Sequence, residues 1–505
     1  MNHCNRYTFV SLFLAFACVS KISAQTPPAN SKRSPASAET KSAQDLKIEN
    51  LILLGHTAPP EVAADLLLTL AIQPTIAKAR KKELIEDAFR FAGDAREPIA
   101  RRPWSLMVDT RSGFKGAAFA LELDKLSLQT RAVTQMIALD KSRARMMFQE
   151  IALPKLPDLT CEDSLSYDPG AYYCTALAVS KDCFDENEKK AEAHVQFLSE
   201  RLDNVKSVSQ IVTAMKMIVD ANLSGDELSW LISTLVGALG RISTDARGFA
   251  FVMAREPFGQ AVWNLSGKAK YQQVPNVDLN RAIKAFVVKQ MSGEVCQDAP
   301  WLEGRQVTLT GRVITELNDL FAKPIVADDV RPLSFGAAAK DRQFWTLPRE
   351  KRLLMAAKDL RFGDTSEGEP PLTLEQRQTD EWRKKLNEYL DLIEKWEPES
   401  EVSAEDYFQE KCNLYTALVD LCPDGAQRDV VLRAYAGYLR EQDGEYKGRI
   451  EWILPVKHYL FMVRSMSEAE KRKSLDPWLS SSDAALRSYA ELELLGKAGT
   501  KSAIP

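Results

Sequence analysis

The sequence predicts an all-α protein of stacked antiparallel helix hairpins, an α-solenoid with no substantial β-sheet. Apolar residues recur at helical spacing in nearly every segment from Asp45 onward, and no run shows the strict alternation of a half-buried strand. The octamer Asp429–Ala436 (DVVLRAYA) also returns 54 residues later as Asp483–Ala490 (DAALRSYA). In each copy an acid and a base stand four apart, in the order that lets them meet across one helical turn. Leu486, Tyr489 and Ala490 then fall on one apolar face, with a small residue where a neighbouring helix can approach.

At the N-terminus, residues 1–24 read as an export signal. Arg6 supplies the positive start, Tyr7–Val19 the apolar core, and Ala24 a small residue for cleavage before Gln25. That core is too short to span a bilayer, and no later stretch reaches the ~20 apolar residues a membrane helix needs. Phe16 and Ala15 argue against a lipid anchor on Cys18. Loss of Arg6 and Lys21 with the signal takes the formal net charge from −4 to −6. A mildly acidic chain has no electrostatic case for nucleic acid or an anionic membrane. The basic runs Lys78–Lys82 and Lys471–Lys473 read as solvated helix faces.

Residues 25–44, rich in Pro, Ser, Ala and Lys with little to bury, read as a disordered leader. An N-terminal helical array is expected over 45–322. Pro59-Pro60 opens a helix through Ile72 with Val62, Leu66 and Leu70 inside. Gln73-Pro74-Thr75 breaks it, and Ile76–Ala92 starts its antiparallel partner. Leu126–Ile137 and Ser142–Ile151 form a second hairpin, hinged at Leu139-Asp140. Val208, Ile211, Val212, Met215 and Val219 make one apolar stripe; Leu228, Leu231, Ile232, Leu235, Leu239 and Ile242 make the next. Ser224-x-x-Glu227, Thr373-x-x-Gln376 and Ser467-x-x-Glu470 are capping boxes that announce helix starts.

Gly and Pro thicken between Phe321 and Pro371, so 323–372 reads as an irregular connector. A C-terminal helical-repeat region follows over 373–496, in which Pro455 is expected to kink or end a helix. A frayed tail closes the chain at 497–505.

The mature chain keeps six cysteines: Cys161, Cys174, Cys183, Cys296, Cys412 and Cys422. An even number in an exported chain admits disulfides. Cys174 and Cys183, like Cys412 and Cys422, share a predicted helix, whose ~1.5 Å rise per residue holds them beyond the ~7 Å that a bridge tolerates. Cys161 and Cys174 are the best local pair, because Asp168-Pro169-Gly170 can turn the chain between them.

The two octamers resemble the second helix of HEAT-type repeats. The segments PPEVAADLLLTLA and KKELIEDAFRFAGDA resemble pieces of degenerate helical-repeat proteins exported by bacteria. The resemblance implies an array of helix pairs and brings no catalytic motif.

Chemistry is sparse. His56, His194 and His458 have no partner at metal-ligand spacing, and His194 reads as a residue on a solvated helix. There is no nucleophile elbow, phosphate loop, dinucleotide fingerprint or C-x-x-C. The acidic clusters Cys161-Glu162-Asp163 and Asp364–Glu369 lack calcium-loop spacing. No catalytic, cofactor or metal residue is assigned. The favoured reading is an exported, non-enzymatic scaffold for a protein or peptide partner. The alternative is an α/α-toroid polysaccharide lyase or glycoside hydrolase, its stock of Trp and Tyr stacking sugars and His458-Tyr459 forming part of its site; Trp230, Trp263, Trp382 and Trp452 themselves read as aromatics that fill the core. Closure discriminates the shapes, since a toroid brings its first and last helices together.

Overall fold

The structure, a computed structural model, describes residues 35–95, 122–152, 169–255, 258–296, 299, 301–303, 306–307, 312–336, 347–363, 371–399, 404–423, 425–442 and 450–495. It is essentially all-α. Helix α1 (Pro35–Thr57) begins inside the stretch expected to be a disordered leader. Its Ala, Glu, Lys and Gln residues are good helix formers, and Pro35 suits a first helical position. Helices α2 (Pro60–Ala71) and α3 (Lys78–Asp94) form the expected hairpin, with Pro60 at the first turn of α2. Gly55 sits where α1 meets α2; an added Cβ there would lie 2.8 Å from Leu66 Cδ2. Helices α4 (Lys125–Ile137) and α5 (Lys141–Glu150) form the second hairpin. Asp124 and Asp140 cap them by accepting from the Ser127 and Arg143 amides.

Next come α6 (Gly170–Asp182), α7 (Glu186–Lys190), α8 (Ala193–Asp203), α9 (Ile211–Asp220) and α10 (Gly225–Arg241), then α11 (Ala246–Arg255), α12 (Phe258–Tyr271), α13 (Val277–Met291) and α14 (Arg312–Asn318). They stack in two layers: α4, α6, α9, α12 and α14 pack in series on one side, and α8, α10 and α13 on the other. The predicted stripes of α9 and α10 are the buried ones. A shared device ties successive pairs. Lys268 of α12 donates to the carbonyls of Ile218, Val219 and Ala221 at 3.0, 2.9 and 2.5 Å, satisfying the last acceptors of α9. One layer over, Lys289 of α13 donates to Ile242 O, past the end of α10, at 2.6 Å.

Among the described residues, strand content is confined to β1 (Glu294–Cys296), β2 (Leu302–Glu303), β3 (Gln306–Val307) and β4 (Ser334–Gly336). β1 pairs with β4 in parallel and β2 with β3 antiparallel, so the start of the connector is fastened beside α13. The connector itself holds a full helix, α15 (Pro348–Phe362), with Leu353, Ala357 and Leu360 buried. The Gly/Pro punctuation taken as irregular chain brackets this helix instead. Pro348 opens it, and Gly363, at φ +73°, ends it in a conformation that favours glycine.

The C-terminal array comprises α16 (Leu374–Arg377), α17 (Asp380–Glu394), α18 (Ala404–Leu421), α19 (Ala426–Glu441), α20 (Ile450–Met462), α21 (Glu468–Leu479) and α22 (Ala484–Leu495). The Thr373 box starts only the four-residue α16; Thr379 caps the main helix α17 by accepting from the Trp382 amide. Pro455 neither ends nor interrupts α20, which runs through it. An aromatic chain fills this array's core. Tyr415 stacks on Tyr435 at 5.2 Å, Tyr435 meets Tyr459 edge-on at 5.9 Å, and Trp478 lies 6.0 Å from Tyr459.

Both octamers are helical with buried apolar faces: Leu432 and Tyr435 in α19, Leu486, Tyr489 and Ala490 in α22. The ion pair expected in the second copy is replaced. Asp483 precedes α22 and accepts from the Ala485 and Leu486 amides, while Arg487 donates to Ser481 O. A carboxylate at a helix start finds unsatisfied amides nearer than the guanidinium one turn on.

Candidate functional site

The chain's end returns to its beginning: α22 packs against α1 and α2. At this seam charged side chains from distant segments meet. Asp65 projects from α2, a helix buried along almost its whole length. Its Oδ1 accepts from Arg131 Nη1 of α4 at 2.8 Å, and its Oδ2 from Lys457 Nζ of α20 at 2.6 Å, 392 residues away. Arg131 Nη2 also donates to Asp65 O at 3.0 Å and Thr69 Oγ1 at 3.3 Å. The Lys457 ammonium lies 5.2 Å from the centre of the Tyr489 ring. Around them stand Glu61 of α2, which is buried, and Arg464, whose Nε donates to Glu493 Oε2 of α22 at 2.6 Å.

Burial alone would raise the Asp65 pKa, but Lys457 and Arg131 outweigh it and hold the carboxyl well below the usual carboxylate range. Burial lowers Lys457, and Asp65 offsets part of that. The Tyr489 phenol is pushed well up, by burial first and by the Asp65 charge beside it. The cluster is therefore ionic, charge-compensated and closed. A carboxylate this firmly ionised is a poor general acid and a weak general base near neutrality.

A second buried polar chain lies within the C-terminal array. Trp396 Nε1 donates to Glu350 Oε1 at 3.1 Å, and the Tyr407 hydroxyl donates to Trp396 O. Lys411 Nζ donates to Tyr407 Oη at 2.9 Å and lies 4.9 Å from the Tyr438 ring centre. It ties α15, α17 and α18 together. An open cleft of about 600 Å³ lies between α5 and the α6–α7 turn, lined by Lys141, Arg145, Met146, Gln149, Phe184 and Glu188 among others. Arg145 stacks 4.0 Å over Phe184 and pairs with Glu188 at 2.6 Å, so one wall is pre-set.

The residues singled out from the sequence scatter. Cys174 is disulfide-bonded, whereas Cys183, Cys412 and Cys422 are buried and in no disulfide. Cys161, the side chain of Cys296, and both acidic clusters lie outside the described residues. His458 is largely buried, and burial pushes its imidazole down to about 4. Tyr459 is core. His194 is not on a solvated face; its Nε2 lies 3.4 Å from Glu227 Oε1, with both side chains mostly covered. Lys471 is likewise buried, donating to Glu493 O at 2.6 Å. Trp382 and Trp452 are core, but Trp230 and Trp263 are 38% and 40% exposed, on α10 and α12.

Asp429 on α19 and the exposed Glu470 on α21 also lie near enough to affect each other: burial, then Glu470, raise Asp429, while Ser467 leads the groups that lower Glu470. Asp65 did leave a sequence signal: it and Glu61 stand four apart on a helix that is apolar apart from them and Thr69, a position where an acid needs a partner. No protein family, curated protein or solved structure matches this chain, so the all-α architecture stands without a HEAT-type or other family assignment.

Proposed function

We propose that the protein is an exported, non-enzymatic scaffold whose stacked helices hold a protein or peptide partner. The observation that carries this is the character of the Asp65 cluster. This polar assembly, drawn from distant segments, engages both Asp65 carboxylate oxygens in holding helices together. The cleft beside α5, with exposed Met146 and the Arg145–Phe184 wall, offers a peptide an apolar contact flanked by charge. The Cys174 disulfide supports an oxidising compartment. The test is a fluorescence-anisotropy screen of labelled peptides against the full chain, repeated with Arg145→Ala and Met146→Asp. Saturable binding that both substitutions weaken is expected; turnover of an oligosaccharide panel would overturn the reading.

A second reading, an α/α-toroid acting on glycans, is favoured by two observations: the contact of first and last helices, and the Asp429–Glu470 pair whose pKa values are pushed apart. Glycan cleavage lost in Glu470→Gln would select it.

A further inference from the structure

The cleft of about 600 Å³ between α5 and the α6–α7 turn carries more charge than its own contacts use. Arg145 is committed: it bonds Glu188 at 2.6 Å and lies 4.0 Å over the Phe184 ring. Glu188 is committed too, since its other oxygen accepts from the Asp185 amide at 2.9 Å. Asp185 caps α7 by accepting from the Asn187 and Glu188 amides at 2.8 Å. Two lining charges are left over. Lys141, exposed, and Asp182, half-buried, form no ion pair among the described residues, either with each other or with a third group. The carboxylate next to Lys141 in sequence, Asp140, is held by Lys82 at 2.6 Å instead. Burial and then Asp182 push the Cys183 thiol up, while Lys141 and Arg145 pull it down, so opposite charges reach one point of the cleft lining.

Both leftover charges stand at helix ends that disfavour them. Lys141 opens α5, where the aligned peptide dipoles repel a cation, and Asp182 closes α6, where they repel an anion. Lys181, in the same turn of α6, lies outside the lining. An unpaired charge that opposes its own helix adds nothing to the fold. It does suit a ligand that brings the opposite sign. Met146, 48% exposed, adds an apolar contact on the α5 wall.

We propose, resting on the peptide-holding role given above, that the cleft selects a peptide segment with one basic and one acidic side chain about an apolar one. The basic group seats against Asp182, the acidic group against Lys141, and the apolar residue on Met146. The wall of Arg145 and Phe184 stays as it is, because Glu188 already balances it.

Fluorescence anisotropy on the full chain tests this with four peptides, each amidated, carrying a neutral dye and flanked by Gly-Ser. Their central residues are Arg-Leu-Glu, Glu-Leu-Arg, Arg-Leu-Arg and Glu-Leu-Glu. One of the two mixed-charge peptides should bind at least about tenfold tighter than either like-charge one. Asp182→Lys should move the preference to Glu-Leu-Glu, and Lys141→Glu should move it to Arg-Leu-Arg. Each reversal puts the favoured sign at its helix end, so thermal midpoints should hold or rise while specificity changes. Equal binding of all four peptides, still weakened by Arg145→Ala and Met146→Asp, would overturn the charge selection and leave the peptide-holding role standing. A mixed-charge preference that neither reversal moves would overturn it as well. Saturable binding by none of the four, nor by any peptide of the wider screen, would overturn both.

Discussion

Lys457 and Asp65 stand 392 residues apart in sequence and 2.6 Å apart in space, and each is largely shielded from water. Buried cations that lose their counter-ion retain their desolvation cost, so Asp65→Asn, which leaves Lys457 and Arg131 facing a neutral amide, should destabilise the protein by about 3–5 kcal/mol. Val430→Ala, at an exposed site on α19, should stay within about 0.5 kcal/mol. Urea unfolding midpoints of the two variants check the contrast.

Lys268→Met removes the donor shared by three carbonyls at the end of α9, at a cost of about 1–3 kcal/mol. Lys270→Met, two residues on and exposed, should be nearly neutral. Thermal melts of both separate a capping role from a general effect of removing positive charge.

The pH dependence has a defined sign. His458 is neutral in the fold down to about 4, below its ordinary value of 6.5, so the unfolded chain binds the proton first as pH falls. Stability should therefore decline from about pH 6.5 toward pH 4, by on the order of 3 kcal/mol in full, and His458→Phe should flatten that slope. Asp65 is depressed, so its contribution is present at neutral pH and is lost only below the usual carboxylate range. Unfolding free energies measured between pH 4 and 7 check both statements.

Burial pushes the Cys183 thiol up to about 11 and Cys422 to about 12. At pH 8 both should resist alkylation in the native protein and react fully in denaturant, as mapped by peptide mass spectrometry. Rapid native labelling of either would contradict their placement.

Local patterns carried far into this fold. The hairpin around Pro74, the Ser224 cap and the stripes of α9 and α10 were legible because each is decided within one or two turns of chain. Helix α15 is hidden in the sequence because Pro348 and Gly363 punctuate loops as readily as they mark the two ends of a helix. The seam was hidden for another reason. Lys457 lies in an apolar stretch and Arg131 on an unremarkable helix face, and only the return of α20 and α22 to α2 gives either a partner. Trp230 and Trp263 illustrate the converse, since helical period placed them without telling which neighbours would cover them.

The helices at either end of the described chain are held together through Asp65 and Lys457. A double-mutant cycle with Asp65→Asn and Lys457→Met, read by urea unfolding, tests it most directly. The account predicts a coupling energy of about 1.5 kcal/mol or more; additivity within about 0.5 kcal/mol would contradict it.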